Sequence, residues 1–544
     1  MKRHLFISCF CNLWDTCAFS LTCVAVVVEC TYMSTQSQKD LTPVVPRKFR
    51  AVFFMLVACF ALWGLLNNMT DNLVPAFETI FGIKPSESAG VQISFYGAYA
   101  VLAIFAAMMV EEFSYRTGVL AGLGFYILGA LIYIPACIAQ NFDLYLLGIF
   151  ILAGGLSILE TSCNPYVLSL GPEKTAVRRL NFAQAFNPLG SLAGIFLAKY
   201  AILANLQGNS KAVQLFWVCV PYVGLISVAA VIWFFFVRLK PSEDSTEQTE
   251  HDDSMKTGLS KPVMIGLYML CIAVPIAILV LINMLCENPG IWGNMVCQLL
   301  FVMVGPFVFT LLLRNYRKML CELLSLPRYW MGVVAQFFYV GVQIAAWTWL
   351  NKYCCKQLGL ESDVAATYYL ISLILFIACR WVATYYMKKF NPANMMSLFA
   401  LVAIACCAGT MYLPSDVLFS VGGLPFSANI ICLILISGGM SLMFPTIYGI
   451  ALGGLNQRDV KLGAAGLIMA ILGGAIITPW MGSIIESSES IWFSLVPGFD
   501  STWDAALKTS DQAVRASFIV PAICFAVVLL YSLIFRKPTT SSDK

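Results

Sequence analysis

Long apolar segments separated by short polar ones recur along most of the chain. Twelve of them fall into two groups of six, each close to the ~20 residues that a helix needs to cross a membrane. The first group lies near 51–79, 88–110, 117–138, 143–170, 180–204 and 213–237. The second group lies near 330–356, 363–387, 393–412, 425–452, 462–485 and 514–535. The pattern predicts an all-α membrane protein built from two six-helix bundles.

A charged segment at 239–261 separates the two groups, and its composition cannot form a packed core. We therefore expect a cytoplasmic linker there. Two further apolar segments follow and end in a basic loop, so residues 262–329 are predicted to add two membrane-spanning helices between the bundles. The bundles themselves are assigned to 51–238 and 330–536, with a short tail at 537–544.

Residues 1–50 form an N-terminal extension with an apolar run at 5–32. This run has the character of a signal-like segment or an extra membrane span, although it lacks a clean small-residue cleavage site. The alternative is that translation begins at Met33, in which case the first 32 residues are a mis-assigned start.

Composition agrees with a chain that folds in lipid. Sixty per cent of the residues are hydrophobic, 11% are charged, and the mean hydropathy is +0.81. The net charge of +4 gives no reason to expect a nucleic-acid partner. The cysteines lie mostly in apolar runs without a CxxC pair, so we expect packing roles rather than a metal site, and no cofactor. His4 and His251 lie outside the two bundles, which leaves carboxylates as the proton carriers.

Basic residues in short loops predict the orientation, because such loops stay on the cytoplasmic side of the membrane. The loops that the span count places inside carry Lys174, Arg178, Arg179, Arg314, Arg317, Lys318, Lys388, Lys389, Arg458, Lys461, Arg536 and Lys537. The opposite loops are mainly acidic or neutral. Both ends of the 33–544 chain are therefore expected in the cytoplasm, with the protein in the plasma (inner) membrane.

The two halves contain an internal repeat. The segment ILAGGLSILETSCNPYVLSLG at 151–171 aligns with LISGGMSLMFPTIYGIALGG at 435–454, and each is followed by a basic loop and a Gly-rich helix. Both copies are predicted to cross the membrane in the same direction. Such a parallel repeat is typical of the two halves of major-facilitator transporters.

Three predicted helices of the first half carry a polar residue about one turn before a proline. Asp71 precedes Pro75, Glu160 precedes Pro165, and Gln184 precedes Pro188. Proline has no N–H and clashes with the carbonyl four residues earlier, so it kinks the helix and leaves that carbonyl free. Prolines are also common in ordinary membrane helices, but an acid in mid-membrane is costly unless it has a function.

The polar residues in these helices recur at helical spacing, so they share faces. Asn68 and Asp71 lie on one face of the first helix, Glu160 and Asn164 on one face of the fourth, and Gln184 and Asn187 on one face of the fifth. Amide groups around one or two carboxylates suit a neutral polyhydroxylated ligand. Burial disfavours the charged form of a carboxyl group, so such acids can take up and release a proton during transport.

The second half adds one cation and a row of aromatic residues. Gln343, Trp347 and Trp349 follow one predicted helix, where the rings suit either a sugar platform or ordinary packing. Arg380 lies within a predicted span and needs an anionic or carbonyl partner, unless its side chain extends to the membrane surface.

Several motifs resemble the L-fucose-proton symporter family, sugar porters of the major facilitator superfamily. They are WGLLNNMTDNLVPAF, GGLSILETSCNPYVLSLGPE, RRLNFAQAFNPLGS, AQFFYVGVQIAAWTWL and FPTIYGIALGGL. The resemblance implies alternating access to a central sugar site, with Asp71 and Glu160 coupling protons to transport. It further implies that Asn68, Gln184, Asn187 and Arg380 line the site.

Within the resemblance, the acid at Glu160 favours L-fucose, because the glucose and galactose members carry glutamine there. Phe444 departs from the pattern, since the fucose symporter has a tyrosine, so galactose, glucose and N-acetylglucosamine stay open. A transport-deficient sugar sensor is a further alternative. A membrane enzyme is not favoured, because no HExxH or GxSxG motif occurs. We expect a protein that works as a monomer in lipid, with a sugar as its small-molecule partner.

Overall fold

Twelve membrane-length segments form the part of the molecule that we describe. The structure is a computed structural model, and the described residues are 44–71, 73–83, 90–205, 209–238, 314–486 and 511–536. The N-terminal extension to residue 43, the linker at 239–261 and the two inserted spans lie outside these ranges. The predictions for them, including the start at Met33, therefore stay predictions.

The first bundle consists of six spans, of which the fifth is broken. Its helices are α1 (Arg50–Asp71), α2 (Leu73–Phe81), α3 (Gly90–Glu112), α4 (Tyr115–Ala139), α5 (Phe142–Ser169), α6 (Ala176–Gln184), α7 (Asn187–Leu197) and α8 (Lys211–Arg238). Pro188 at the start of α7 explains the break between α6 and α7, because proline cannot continue the hydrogen-bond ladder of the preceding turn. Pro165 lies inside α5, and yet α5 continues to Ser169.

The second bundle also has six spans, with a short helix before the first span and a β-hairpin before the fourth. Its elements are α9 (Arg314–Ser325), α10 (Pro327–Leu358), α11 (Ser362–Tyr386), α12 (Pro392–Tyr412), β1 (Val417–Val421), β2 (Leu424–Ser427), α13 (Ala428–Met440), α14 (Met443–Leu452), α15 (Gln457–Met469), α16 (Gly473–Glu486), α17 (Asp511–Ala516) and α18 (Ile519–Ile534). The antiparallel pair β1–β2 turns at Gly422 and Gly423, whose φ angles are positive. The all-α membrane fold is confirmed. The hairpin and helix α9 are additions, since the span prediction began at 425 and the basic stretch was expected to be a loop.

Short polar side chains cap the N-termini of four helices. Ser114, Asn141, Asn391 and Asn456 each accept a hydrogen bond from the main-chain N–H of a residue in the first turn of the following helix. These bonds satisfy N–H groups that a helix start otherwise leaves unpaired. These capping residues therefore determine where α4, α5, α12 and α15 begin.

Glycines bring equivalent helices together in both halves. A Cβ added to Gly190 of α7 would lie 1.9 Å from the carbonyl oxygen of Ala61 in α1. A Cβ added to Gly473 of α16 would lie 2.0 Å from the carbonyl oxygen of Phe337 in α10. The first and fifth spans of each half therefore pack backbone to backbone in the same way, as a parallel repeat requires.

The outer surface of the bundles is apolar. Phe216, Val220, Phe234 and Phe235 are among the exposed large side chains of α8. Eleven helices of the described residues are long and apolar enough to cross a membrane, and the broken α6–α7 span comes in addition. Lipid is the solvent in which such a surface is stable.

Candidate functional site

Glu160 lies at the middle of α5 with its side chain enclosed by protein. The residue is 2% exposed, and neither carboxylate oxygen has a hydrogen-bond partner among the described residues. A cavity beside it is lined by Cys59, Phe60, Trp63, Leu156, Leu159 and Cys163. An acid buried without a partner is costly, which marks it as a functional candidate.

Asn164 and Gln184 form a buried amide pair one turn from Glu160. Asn164 is 0% exposed, and its Oδ1 accepts a hydrogen bond of 2.7 Å from Nε2 of Gln184. Because Asn164 follows Glu160 by four residues on α5, the pair lies on the same helix face as the acid. Three of the predicted binding residues are thus brought together.

Arg380 of α11 joins two carbonyls that prolines leave free. Its Nη1 donates to the main-chain oxygen of Gln184 at 3.0 Å, and its Nε donates to the main-chain oxygen of Ser441. Gln184 lies four residues before Pro188, and Ser441 lies four residues before Pro445, so neither carbonyl has its usual helical donor. Arg380 is 4% exposed and therefore does not extend to the surface. One guanidinium connects the broken spans of both bundles.

Three other predicted side chains make contacts of different kinds. Asn68 accepts a hydrogen bond of 3.1 Å from the hydroxyl of Tyr369 in α11, and Nδ2 of Asn187 donates to the Phe60 carbonyl at 3.3 Å. Phe444 packs against the rings of Tyr339 and Tyr448, each with centroids 6.3 Å away. Asn68 thus belongs to a contact between the bundles, whereas Asn187 joins α7 to α1 within one bundle.

The structure does not test the roles predicted for two further residues. Gln343 is half-buried on α10 and takes no part in the hydrogen bonds described above. Asp71 is the last residue of α1, but its side chain lies outside the described part of the chain. The roles predicted for Gln343 and Asp71 stay predictions.

The tryptophans predicted on α10 are both hydrogen-bonded. Nε1 of Trp347 donates to the Ser437 hydroxyl at 3.0 Å, and Nε1 of Trp349 donates to the Thr478 carbonyl at 3.2 Å. Trp347 also packs edge-on against Tyr369, the residue that contacts Asn68. Its ring therefore borders the contact between the bundles.

A set of contacts at the end of the molecule that bears the basic loops was missed by the sequence reasoning. We call it the basic end, defined by the loops at 170–175, 387–391 and 453–456. Glu111 of α3 pairs with Arg458 at 3.1 Å and with Lys461 at 3.5 Å, both on α15. In addition, Oε1 of Glu173 accepts a hydrogen bond of 3.0 Å from the Gly454 amide. The bundles are therefore held together at the basic end.

Comparison with known proteins places this geometry in a family. The Major Facilitator Superfamily family model matches residues 51–479. The L-fucose-proton symporter of Haemophilus influenzae is 36% identical and covers 90% of this chain and 97% of its own length. The Escherichia coli L-fucose-proton symporter is 28% identical over 94% of this chain and 99% of its own length. A Brucella abortus glucose/galactose transporter is 23% identical, with 89% and 93% covered.

Solved structures agree with the sequence relatives. The crystal structure of the transporter FucP in the outward conformation superposes with a TM-score of 0.66, at 25% identity over 91% of this chain and all of that one. A proton:xylose symporter, XylE, has a TM-score of 0.59 at 11% identity, with 90% and 96% covered, and this likeness shows the fold alone. The chain is a multi-pass membrane transporter that belongs to the Major Facilitator Superfamily, in the family of the L-fucose-proton symporters.

Proposed function

We propose that this protein carries L-fucose into the cell together with a proton, by alternating access. The observation that carries the proposal is Glu160, an acid that is enclosed by protein and unpaired in the described residues. A neutral carboxylic acid is far cheaper to hold there than a carboxylate, so binding and loss of a proton changes the energetics of the site. The similarity to two L-fucose-proton symporters supports the choice of sugar.

In this proposal Asp71 and Glu160 exchange the proton, and amide and guanidinium groups hold the sugar. Asn68, Asn164, Gln184, Asn187, Gln343 and Arg380 are the proposed polar lining, with Phe444 as an apolar wall. The proton is the coupling ion, and no metal or other cofactor is needed. We place the protein as a monomer in the inner membrane, with the basic end and both ends of the 33–544 chain in the cytoplasm.

The alternative sugars are tested by uptake into proteoliposomes that contain the full chain. L-Fucose, galactose, glucose and N-acetylglucosamine are offered in turn under an imposed pH gradient, acidic outside, while the external pH is recorded. We expect accumulation and external alkalinisation with L-fucose. Accumulation of another sugar instead of L-fucose would reassign the substrate, and binding without uptake of any sugar would indicate a sensor.

A further inference from the structure

We propose that Asn164 is a positioning residue that connects the protonation of Glu160 to the contact between the two bundles. The inference rests on the proposed function, since it needs Glu160 to gain and lose a proton. It assigns to Asn164 a role in coupling, beyond the role in sugar binding that the sequence indicated.

The orientation of the Asn164 amide is set by its neighbour. Its Oδ1 is engaged by Nε2 of Gln184 at 2.7 Å, whereas its Nδ2 has no hydrogen-bond partner in the described ranges. Asn164 follows Glu160 by four residues on α5, so the two side chains lie on the same helix face, although no hydrogen bond joins them. Since the acceptor end is occupied, the donor end is the one left for Glu160.

This orientation favours one charge state of the acid. A carboxylate only accepts hydrogen bonds, so an N–H donor suits it, whereas a protonated carboxyl group also has an O–H to donate. The Asn164 oxygen that could receive that O–H already accepts one hydrogen bond from Gln184, so the two donors would share one acceptor atom. Protonation of Glu160 therefore weakens its contact with the Asn164 N–H and loosens the bond between Asn164 and Gln184.

Gln184 connects Asn164 to the other bundle because it makes a second hydrogen bond. Its side chain holds Asn164, and its main-chain oxygen accepts from Nη1 of Arg380 in the other bundle. Gln184 is also the last residue of α6, directly before the break at Pro188. A shift of its side chain can thus change the end of α6 and the contact with Arg380.

Among the described residues, the other titratable groups near Glu160 are phenols and thiols. They come from four helices: Tyr99 from α3, Cys59 from α1, Cys163 from α5 and Tyr448 from α14. Three cations of the neighbouring helices are bonded to other groups: Arg179 to the carbonyls of Val167 and Pro172, Lys461 to Glu111, and Arg380 to the carbonyls of Gln184 and Ser441. In the proposed function Asp71 also exchanges a proton, and the experiment must separate the two acids.

The test measures L-fucose counterflow in proteoliposomes at equal internal and external pH, over a range of pH values. Asn164→Leu removes the donor while keeping a similar size. Without the donor the carboxylate is less favoured, so the pH midpoint above which exchange falls should move upward by about one unit. Asn164→Ser keeps a shorter donor and should move the midpoint by less. If Asn164→Leu does not fold, the shift is read from Asn164→Ser.

Two controls make the outcome specific. Gln336→Leu removes another buried amide, one that bonds neither Glu160 nor Gln184, and should leave the midpoint in place. In a Glu160→Gln background, adding Asn164→Leu should leave the pH midpoint of exchange unchanged, because the pH dependence that remains is assigned to Asp71. An unmoved midpoint in both Asn164 variants overturns the inference, as does an equal shift in the Glu160→Gln background. A wild-type protein whose fucose movement is independent of pH contradicts the proposed function instead.

Discussion

The two copies of the internal repeat share their packing and differ in their chemistry. Gly155 of the first copy and Gly439 of the second each lie against the preceding span. An added Cβ would meet the Tyr126 amide nitrogen at 2.5 Å in the first copy and the Ala403 Cβ at 2.9 Å in the second. Close backbone approach has therefore been kept in both halves.

Five residues after these glycines the copies diverge. The first copy has Glu160 at this position, in a helix that continues through Pro165, whereas the second has Phe444, just after the break between α13 and α14. Glu160 has no hydrogen-bond partner among the described residues, whereas Phe444 packs on tyrosine rings. At this position the acid belongs to the first half alone. The second half contributes Arg380, which binds carbonyls from both halves.

Among the substitutions proposed here, replacing Arg380 should have the largest effect on transport. Arg380→Gln removes the guanidinium that reaches both buried carbonyls, and its shorter amide leaves at least one of them without a donor, at a cost of roughly 1–3 kcal/mol for a buried polar group left unpaired. We expect proton-driven fucose accumulation to fall at least about tenfold, which corresponds to about 1.4 kcal/mol. Arg380→Lys should restore only part of it, because an ammonium group lacks the planar fork that reaches two carbonyls. Wild-type accumulation in Arg380→Gln, at normal membrane levels, would contradict the bridging role.

The next largest effect is expected from disrupting the close glycine packing that the two copies share, and it should appear as a loss of stability. Gly155→Ala places a methyl group 2.5 Å from a main-chain nitrogen, whereas Gly438→Ala places one 3.2 Å from the Cys379 sulfur, in a side chain that can move. Overpacking of this kind costs typically ~1–3 kcal/mol. Gly155→Ala should therefore lower the melting temperature of the purified protein clearly more than Gly438→Ala does. Equal melting temperatures would show that α4 and α5 are not packed as described.

The smallest effect is expected from Phe444→Tyr. The change adds a hydroxyl to a ring that lies between Tyr339 and Tyr448, at the position that corresponds to Glu160. We expect proton coupling to persist and the KM for L-fucose to change less than about tenfold, as for a single added polar contact. Concentration-dependent uptake checks this. Loss of the pH response would show that Phe444 takes part in coupling.

Local sequence signals predicted most of the fold. Apolar periodicity located the spans, and Pro188 located the break before Asn187, whereas α5 continues through Pro165. Both signals act within one or two turns of helix. The same reasoning indicated that Glu160 and Arg380 needed explanation, since charge inside a membrane is costly wherever it occurs.

Contacts between distant segments could not be predicted in this way. The pairing of Glu111 with Arg458 and Lys461 joins residues that are more than 340 positions apart, and no local pattern specifies it. The carbonyl partners of Arg380 also depend on how the bundles meet. The hairpin at 417–427 was missed because its apolar residues continue the pattern of the following span.

The central claim is that Glu160 carries a proton while sugar crosses the membrane. The most direct test adds L-fucose to lightly buffered proteoliposomes with no imposed gradient and follows the external pH, for the wild type and for Glu160→Gln. The account predicts alkalinisation with the wild type and none with Glu160→Gln, even though the variant still exchanges labelled for unlabelled fucose. Undiminished alkalinisation with Glu160→Gln would contradict it.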